Sequence, residues 1–392
     1  MRLSRADRSR VGDWWFTVDH VLVGAILALV GAGLVLSLAA SPAVALKKGL
    51  PTYYFVERHL IFSALGVLIM LTVSLFSPVG IRRLALALFV VGMLGMIAVH
   101  FTASEMQGAR RWLSIAGHSL QPSEFTKPGF VVLSAWLFAE SKRRTDMPAV
   151  PLAILLALVF GGLLLSQPDV GQTLLISVVW GALFYLSGQP LLGAGIIAMC
   201  GVMGLAFAYS TFGHVQSRID KFFAPTPGDN SQLDRAMRSF SEGGFLGRGP
   251  GEGTIKNALP DAHTDFIFAV VAEEYGVIAC LVLLGLFAFV VMRALIAAAQ
   301  EKDAATRLSI QGLALLFGMQ ALINMGVNVG LLPAKGITLP FVSAGGSSML
   351  AVSITLGMLL ALTRHRPHVA RLKKPSLLAD VGGLQPSGPM HK

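Results

Sequence analysis

Charge is scarce in this chain: Asp, Glu, Lys and Arg make up 13% of 392 residues, where soluble globular domains carry about 25%. That shortage, with a mean hydropathy of +0.68, excludes an ordinary water-soluble domain, which could not hide so much apolar surface. Cysteine is nearly absent. Cys200 and Cys280 both fall inside apolar runs, which excludes a disulfide framework or metal knuckle and leaves two small buried hydrophobes. The motifs of soluble enzymes are missing too: there is no Walker A phosphate loop, no His-Glu-x-x-His and no Gly-x-Ser-x-Gly. The net charge is +10, yet the basic residues lie in loops between apolar segments and do not form a nucleic-acid patch. Topology control, or an anionic lipid substrate, accounts for them instead.

What the chain has is apolar sequence in ten blocks, at about 20–40, 59–77, 84–101, 126–140, 149–166, 171–187, 190–212, 265–292, 306–331 and 345–363. A helix of about 20 apolar residues crosses a bilayer and satisfies its own backbone hydrogen bonds. The expected fold is therefore an all-α integral membrane protein of about ten transmembrane helices. Pro122 opens the short fourth helix, and the long eighth protrudes or tilts. A cleaved signal peptide is the weaker reading of the first block. Its apolar run exceeds the usual length, and Ala43-Val44-Ala45 follows Pro42 at an awkward distance.

Most of the basic residues fall into one set of loops if the N-terminus is cytoplasmic: Arg2 to Arg10, Arg82–Arg83, Lys142–Arg144, Arg293 to Arg307 and the C-terminal tail. Both termini are then inside. The exceptions cluster in two outer loops, around Arg110–Lys127 and Arg218–Lys256, and outer loops normally avoid positive charge. The span 213–264, between the seventh and eighth blocks, is the longest loop. It mixes Gly, Pro and charge with Phe222, Phe223, Phe240 and Phe245, which suits partial order at the membrane surface. The domain plan is an N-terminal tail (1–18), one polytopic membrane domain (19–365) and a polar, disordered cytoplasmic tail (366–392).

Several polar clusters interrupt this pattern. His263-Thr264-Asp265 stands immediately before Phe266-Ile267-Phe268-Ala269, placing a carboxylate at the outer mouth of the eighth span; it serves either as a helix cap or as a reactive acid. Glu273 and Glu274 lie deeper in that span, where ionisable groups call for a named partner. Gln320, Asn324 and Asn328, four residues apart on one face of the ninth span, offer one, or else act as interhelical glue. Glu124 and Lys127 are placed to pair locally, or, with Arg110, Arg111 and the interfacial Trp112, to form a cationic shelf for a pyrophosphate. Gln167-Pro168-Asp169 makes an outer turn. Lys335 to Phe341 and Ser343 to Ser348, including Ser347, make a re-entry before the last span. Gly247, Gly249, Gly251 and Gly253 alternate without a preceding strand; they form a flexible loop, or backbone close to a ligand, with Arg248 and Lys256 adding charge. All of these clusters fall on one side of the expected bilayer.

These stretches resemble the SEDS family (shape, elongation, division and sporulation) of peptidoglycan glycosyltransferases, over about residues 18–365. The motifs are Gly-Ala-Arg-Arg-Trp at 108–112, Gln-Pro-Ser-Glu-Phe-Thr-Lys at 121–127, Gln-Pro-Asp at 167–169 and Leu-Pro-Asp-Ala-His-Thr-Asp-Phe-Ile-Phe-Ala at 259–269. Glu273-Glu274 with Gly276, and Leu339-Pro340 with Gly345-Gly346-Ser347-Ser348, complete the set. Ser41-Pro42-Ala43, Tyr53 to His59 and Gln172 resemble the division branch more than the elongation branch. Ala344, Pro128, Pro250 and Glu252 depart from the family pattern without removing an acid, base or phosphate ligand.

The resemblance implies lipid II as substrate, a class B penicillin-binding protein and other divisome proteins as partners, a place in the inner membrane at the septum, and Asp265 as the essential acid. As general base, Asp265 would activate the acceptor sugar's C4 hydroxyl against the donor's anomeric carbon. Arg110, Arg111 and Lys127, then Arg248 and Lys256, would stabilise the departing undecaprenyl pyrophosphate, with His263, Lys335 and Ser347 also at the substrate and Asp169, Glu273, Glu274, Asn324 and Asn328 in support. A divalent cation (Mg2+ or Mn2+) at the pyrophosphate stays open, since no ligand cluster in the sequence demonstrates one. Two other readings compete: a lipid II flippase, which needs polar groups at mid-membrane and gates on both sides, and a non-catalytic divisome scaffold.

Overall fold

The computed structural model describes residues 10–102, 111–115, 118–211, 213, 216–217, 219–220, 232–259, 261–333 and 336–365. Arg110, Lys335, the tail 366–392 and part of the long loop lie outside them. A short helix α1 (Arg10–Thr17) falls within the segment expected to be an N-terminal tail. Together with residues 364–365 it belongs to a small unit of its own, in which Arg364 Nε donates to Thr17 Oγ1 at 2.9 Å.

In the main unit, ten helices coincide with the ten apolar blocks: α2 (His20–Lys47), α3 (Tyr54–Ser74), α4 (Pro78–Thr102), α5 (Pro122–Glu140), α6 (Ala149–Ser166), α7 (Val170–Leu186) and α8 (Leu191–Thr211), then, beyond α9 (Gln232–Gly243), α10 (Ile267–Gln300), α11 (Ala304–Asn328) and α12 (Gly346–Thr363). Seven of the ten are long and apolar enough to cross a membrane: α2, α3, α4, α6, α10, α11 and α12. The chain is a multi-pass membrane protein. Pro122 occupies the first turn of α5 as expected. Pro42 does not end α2, which continues to Lys47. Helix α9 is strongly amphipathic, as a helix lying against a larger body must be, and gives the long loop its local order.

The bundle is layered. The most apolar windows of α11 and α12 are 67% and 83% buried, against 22% for α4 and α6. Helices α5, α11 and α12 therefore make the centre, and the outer helices turn Leu, Val and Ile outward, where lipid replaces water as their solvent. At one end Asp19 caps α2, accepting from Val21 and Leu22 N–H, and pairs with Arg293 of α10 at 2.7 Å. At that same α10 end, Arg143 after α5 reaches Asp303, the N-cap of α11, at 2.7 Å. The only strands among the described residues are β1 (Leu113–Ile115) and β2 (His118–Leu120), an antiparallel hairpin pairing Leu113 with Leu120. It is a small exception to the all-helical expectation.

Helix α10 is two pieces. Gly276 stands at φ 79°, ψ 176° and breaks it, separating a short segment (267–275) from a long one (277–300). The loop after α9 fills the break. Arg248 N–H donates to Glu273 O at 2.9 Å and Gly249 N–H to Glu274 O at 3.0 Å. In return Val277 N–H reaches Gly244 O at 3.0 Å and Ile278 N–H reaches Phe245 O at 3.3 Å. Backbone groups orphaned by the break are thus paired inside the bundle, where leaving them bare is costly. The approach is too close for side chains: a Cβ on Gly276 would stand 2.2 Å from Phe245 O, and one on Gly247 2.2 Å from Glu274 O.

Candidate active site

Asp265 sits at the head of the short α10 segment, half-buried. The helix cap falls one residue later, on Phe266, which makes no side-chain cap bond. The capping role weighed from sequence is taken over in trans: Asn328 of α11 accepts from Ala269 N–H through Oδ1 at 3.1 Å. The same side chain donates to Asp265 O at 2.9 Å, and Asn324 donates there too, at 2.9 Å. Ser343 Oγ donates to Thr264 O at 2.5 Å, and Ala344 N–H to His263 O at 2.9 Å. The backbone around Asp265 is therefore fixed from two elements. A Cβ on Gly336 would lie 3.4 Å from Asp265 Oδ2, so the carboxylate faces the segment leading into α12.

From Asp265 the polar face of α11 runs back into the bundle. Asn324 Nδ2 also donates to Ile337 O at 2.7 Å. One turn earlier, about 6 Å along the axis, Gln320 Nε2 donates to Thr338 O at 3.3 Å while its Oε1 lies 3.5 Å from Lys127 Nζ. Lys127 pairs with Glu124 at 2.8 Å and donates to Gln172 Oε1 at 2.9 Å. Gln172 Nε2 donates in turn to Glu124 Oε1 at 2.7 Å. The ion pair suggested by the i,i+3 spacing is formed, but it is only 2–3% exposed. It belongs to a connected buried network rather than an open shelf, and a small cavity between α5, α11 and α12 adjoins it.

Arg111 is also engaged internally. Its Nε donates to Gln167 O at 3.0 Å and its Nη2 to Pro168 O at 2.5 Å, and Nη1 lies 3.7 Å from Asp169. It clamps the α6–α7 turn. Asp169 caps α7 by accepting from Gln172 N–H, and Gln121 Nε2 approaches it at 3.5 Å. Burial raises the Asp169 carboxyl above the usual range despite the charge of Arg111. Trp112 stays exposed on the hairpin, while Ser347 is nearly buried in the first turn of α12. His263 packs its ring 4.5 Å from that of Phe55. Burial, helped by the charge of Lys48 and opposed by Asp261, lowers it to about 4, so the imidazole is neutral at pH 7.

Glu273 and Glu274 find partners other than those suggested by the sequence. They turn from α11 towards the loop. Glu273 Oε1 accepts from Thr254 and Ile255 N–H at 2.6 and 2.7 Å, and Oε2 from Lys256 N–H at 3.0 Å. Glu274 Oε2 accepts from Gly251 N–H at 3.0 Å, and Oε1 pairs with Lys256 Nζ. Lys256 also reaches Ala39 O and Gly251 O, and Arg248 pairs with Glu242 and Thr254. The loop glycines thus approach the chain's own broken helix. Arg248 and Lys256 hold that loop together through these contacts.

Arg110 and Lys335 lie outside the described residues. Gln172 was not among the expected site residues, although an amide inside an apolar helix was the available signal. Among the described residues no three His, Cys, Asp or Glu side chains converge to hold a metal ion.

The model of a cell cycle protein family covering FtsW, RodA and SpoVE matches residues 20–368. A probable peptidoglycan glycosyltransferase FtsW from Caulobacter vibrioides is 46% identical over 368 residues, 93% of this chain and 94% of that protein. Among solved structures, a chain from work on the coordination of polymerization and crosslinking by a peptidoglycan synthase complex is similar at TM-score 0.73 and 27% identity. The similarity covers 88% of this chain and 97% of that one. The rod shape determining protein RodA of Thermus thermophilus is similar at TM-score 0.65 and 26% identity, over 89% and 97%.

Proposed function

The chain belongs to the FtsW, RodA and SpoVE family of cell cycle proteins, and from that premise we propose that it is an inner-membrane peptidoglycan glycosyltransferase that polymerises lipid II. The observation that carries the reading is Asp265: a half-buried carboxylate whose backbone is fixed by Asn324 and Asn328, at one end of a polar path leading to Lys127.

The chemistry follows from the substrate. Asp265 takes the proton from the C4 hydroxyl of the acceptor's GlcNAc as that oxygen attacks the anomeric carbon of the donor's MurNAc. The C1–O bond to undecaprenyl pyrophosphate breaks, and the pair of electrons leaves with the pyrophosphate. An α-linked donor then gives a β-1,4 product by inversion, for which one base and a good leaving group suffice. The departing charge calls for fixed positive groups. Lys127 and Arg111 are the described candidates, and internal hydrogen bonds hold each in place.

The site opens to the periplasm in this reading, with Arg143, Arg293 and Arg307 at the cytoplasmic end. The similarity to a chain of a peptidoglycan synthase complex, with the kinship to FtsW, supports a class B penicillin-binding protein as partner and a place at the division septum. The test is labelled lipid II fed to the purified chain in liposomes, with and without that partner. Glycan strands that vanish with Asp265→Ala support the polymerase. Lipid II that crosses the bilayer without forming strands would point to a flippase instead.

A further inference from the structure

The short α10 segment is gripped at both ends. Asn324 and Asn328 hold the Asp265 end. The other end carries Glu273, which is fully buried and accepts from three consecutive backbone N–H groups, those of Thr254, Ile255 and Lys256. The loop giving those amides is itself tied down: Lys47 of α2 donates to Asn257 O and Arg235 of α9 to Ala258 O. Three amides converging on one carboxylate are far more than a surface loop needs for local order. The break at Gly276 relieves this segment of continuity with the rest of α10, so its direction is set by its grips.

We propose that Glu273 is a positioning residue for Asp265, locking the loop 254–256 to the far end of the segment that carries the base. The inference rests on the reading of Asp265 as general base. The lever is short and stiff: Glu273 lies about 12 Å along the axis from Asp265, so a tilt of about 5° displaces the carboxylate by about 1 Å. A misplacement of that size costs about 100-fold in rate when a catalytic group must meet a reacting atom. Glu274 and Lys256 brace the same joint from the side.

Two variants disturb the grip by different routes. Glu273→Gln keeps the size but turns a donor towards amides that need an acceptor. Gly253→Ala keeps the charge but places a Cβ 2.9 Å from Glu273 Cδ, pushing the carboxylate off its amides. Both are measured with the full chain and its penicillin-binding partner, recording kcat and KM for lipid II polymerisation and the binding of fluorescent lipid II. Positioning lowers kcat by about 10- to 100-fold in each variant, with KM and lipid II binding within about twofold of wild type. Wild-type kcat in either folded variant overturns the inference, as does loss of lipid II binding in parallel with kcat. If Glu273→Gln does not fold, Gly253→Ala decides alone. Wild-type protein that forms no strands at all would instead sink the polymerase reading.

Discussion

Asn328 Nδ2 donates to Asp265 O at 2.9 Å while Asn328 Oδ1 accepts from Ala269 N–H at 3.1 Å, so one amide on α11 both fixes the candidate base and caps its helix. Asn328→Leu removes both bonds. Asn324 still serves the Asp265 carbonyl and Ala269 N–H keeps its bond to Phe266 O at 3.1 Å, so no group is orphaned and the loss is that of ordinary hydrogen bonds, about 0.5–1.5 kcal/mol. Thermal unfolding in detergent should show that loss, and polymerisation should fall further than the unfolded fraction explains. A Tm and rate equal to wild type would remove Asn328 from the account.

The buried Glu124–Lys127 pair makes a different prediction. Lys127→Met leaves Glu124 uncompensated and should cost about 3–5 kcal/mol, whereas the double change Glu124→Gln with Lys127→Met should recover most of it. Activity should stay low in both, because the fixed positive charge is gone. Equal destabilisation in the single and double variants would show that the pair is not coupled as the 2.8 Å contact indicates.

Much of this was legible in the sequence. Apolar blocks as long as a bilayer is thick mark the ten helices, with ends that differ by up to eight residues, because in lipid the run of apolar side chains is the span. The i,i+3 spacing of Glu124 and Lys127, and the four-residue repeat of Gln320, Asn324 and Asn328, likewise show which side chains share a face. The break in α10 was not legible. Residues 265–292 read as one apolar run, and nothing local marks Gly276 as left-handed; its reason is the loop 244–249, brought there by tertiary packing. The partners of Glu273 were hidden for the same cause, since a carboxylate bonded to backbone N–H groups leaves no side-chain signature. The bonds of Arg111 to the Gln167 and Pro168 carbonyls were not legible either, because a guanidinium suits phosphate oxygens and main-chain carbonyls alike.

Gly276 should be among the least replaceable residues of the bundle. Gly276→Ala brings a side chain to φ 79° and within 2.2 Å of Phe245 O, so little folded protein should be recovered. Gly285→Ala on the same helix meets nothing within 4 Å and should express and elute as wild type does. Size-exclusion profiles of the two decide it; indistinguishable profiles would mean the loop is not interlocked with α10.

Stability should fall on mild acidification through His263. Its folded value, about 4, lies below the ordinary 6.5, so the unfolded state takes up the proton first. The contribution is fully present above about pH 6.5 and is lost as pH falls towards 4, about 3 kcal/mol in all. Between pH 7.5 and pH 5 the wild-type Tm should drop further than that of His263→Gln. Equal drops would place the imidazole in a more hydrated setting.

Proton transfer by Asp265 is tested by the polymerisation rate of Asp265→Asn in liposomes with the cognate penicillin-binding protein, alongside its binding of fluorescent lipid II. The expected result is a rate at least about 100-fold below wild type with lipid II still bound. Strand synthesis at the wild-type rate by that variant would mean that Asp265 is not the base.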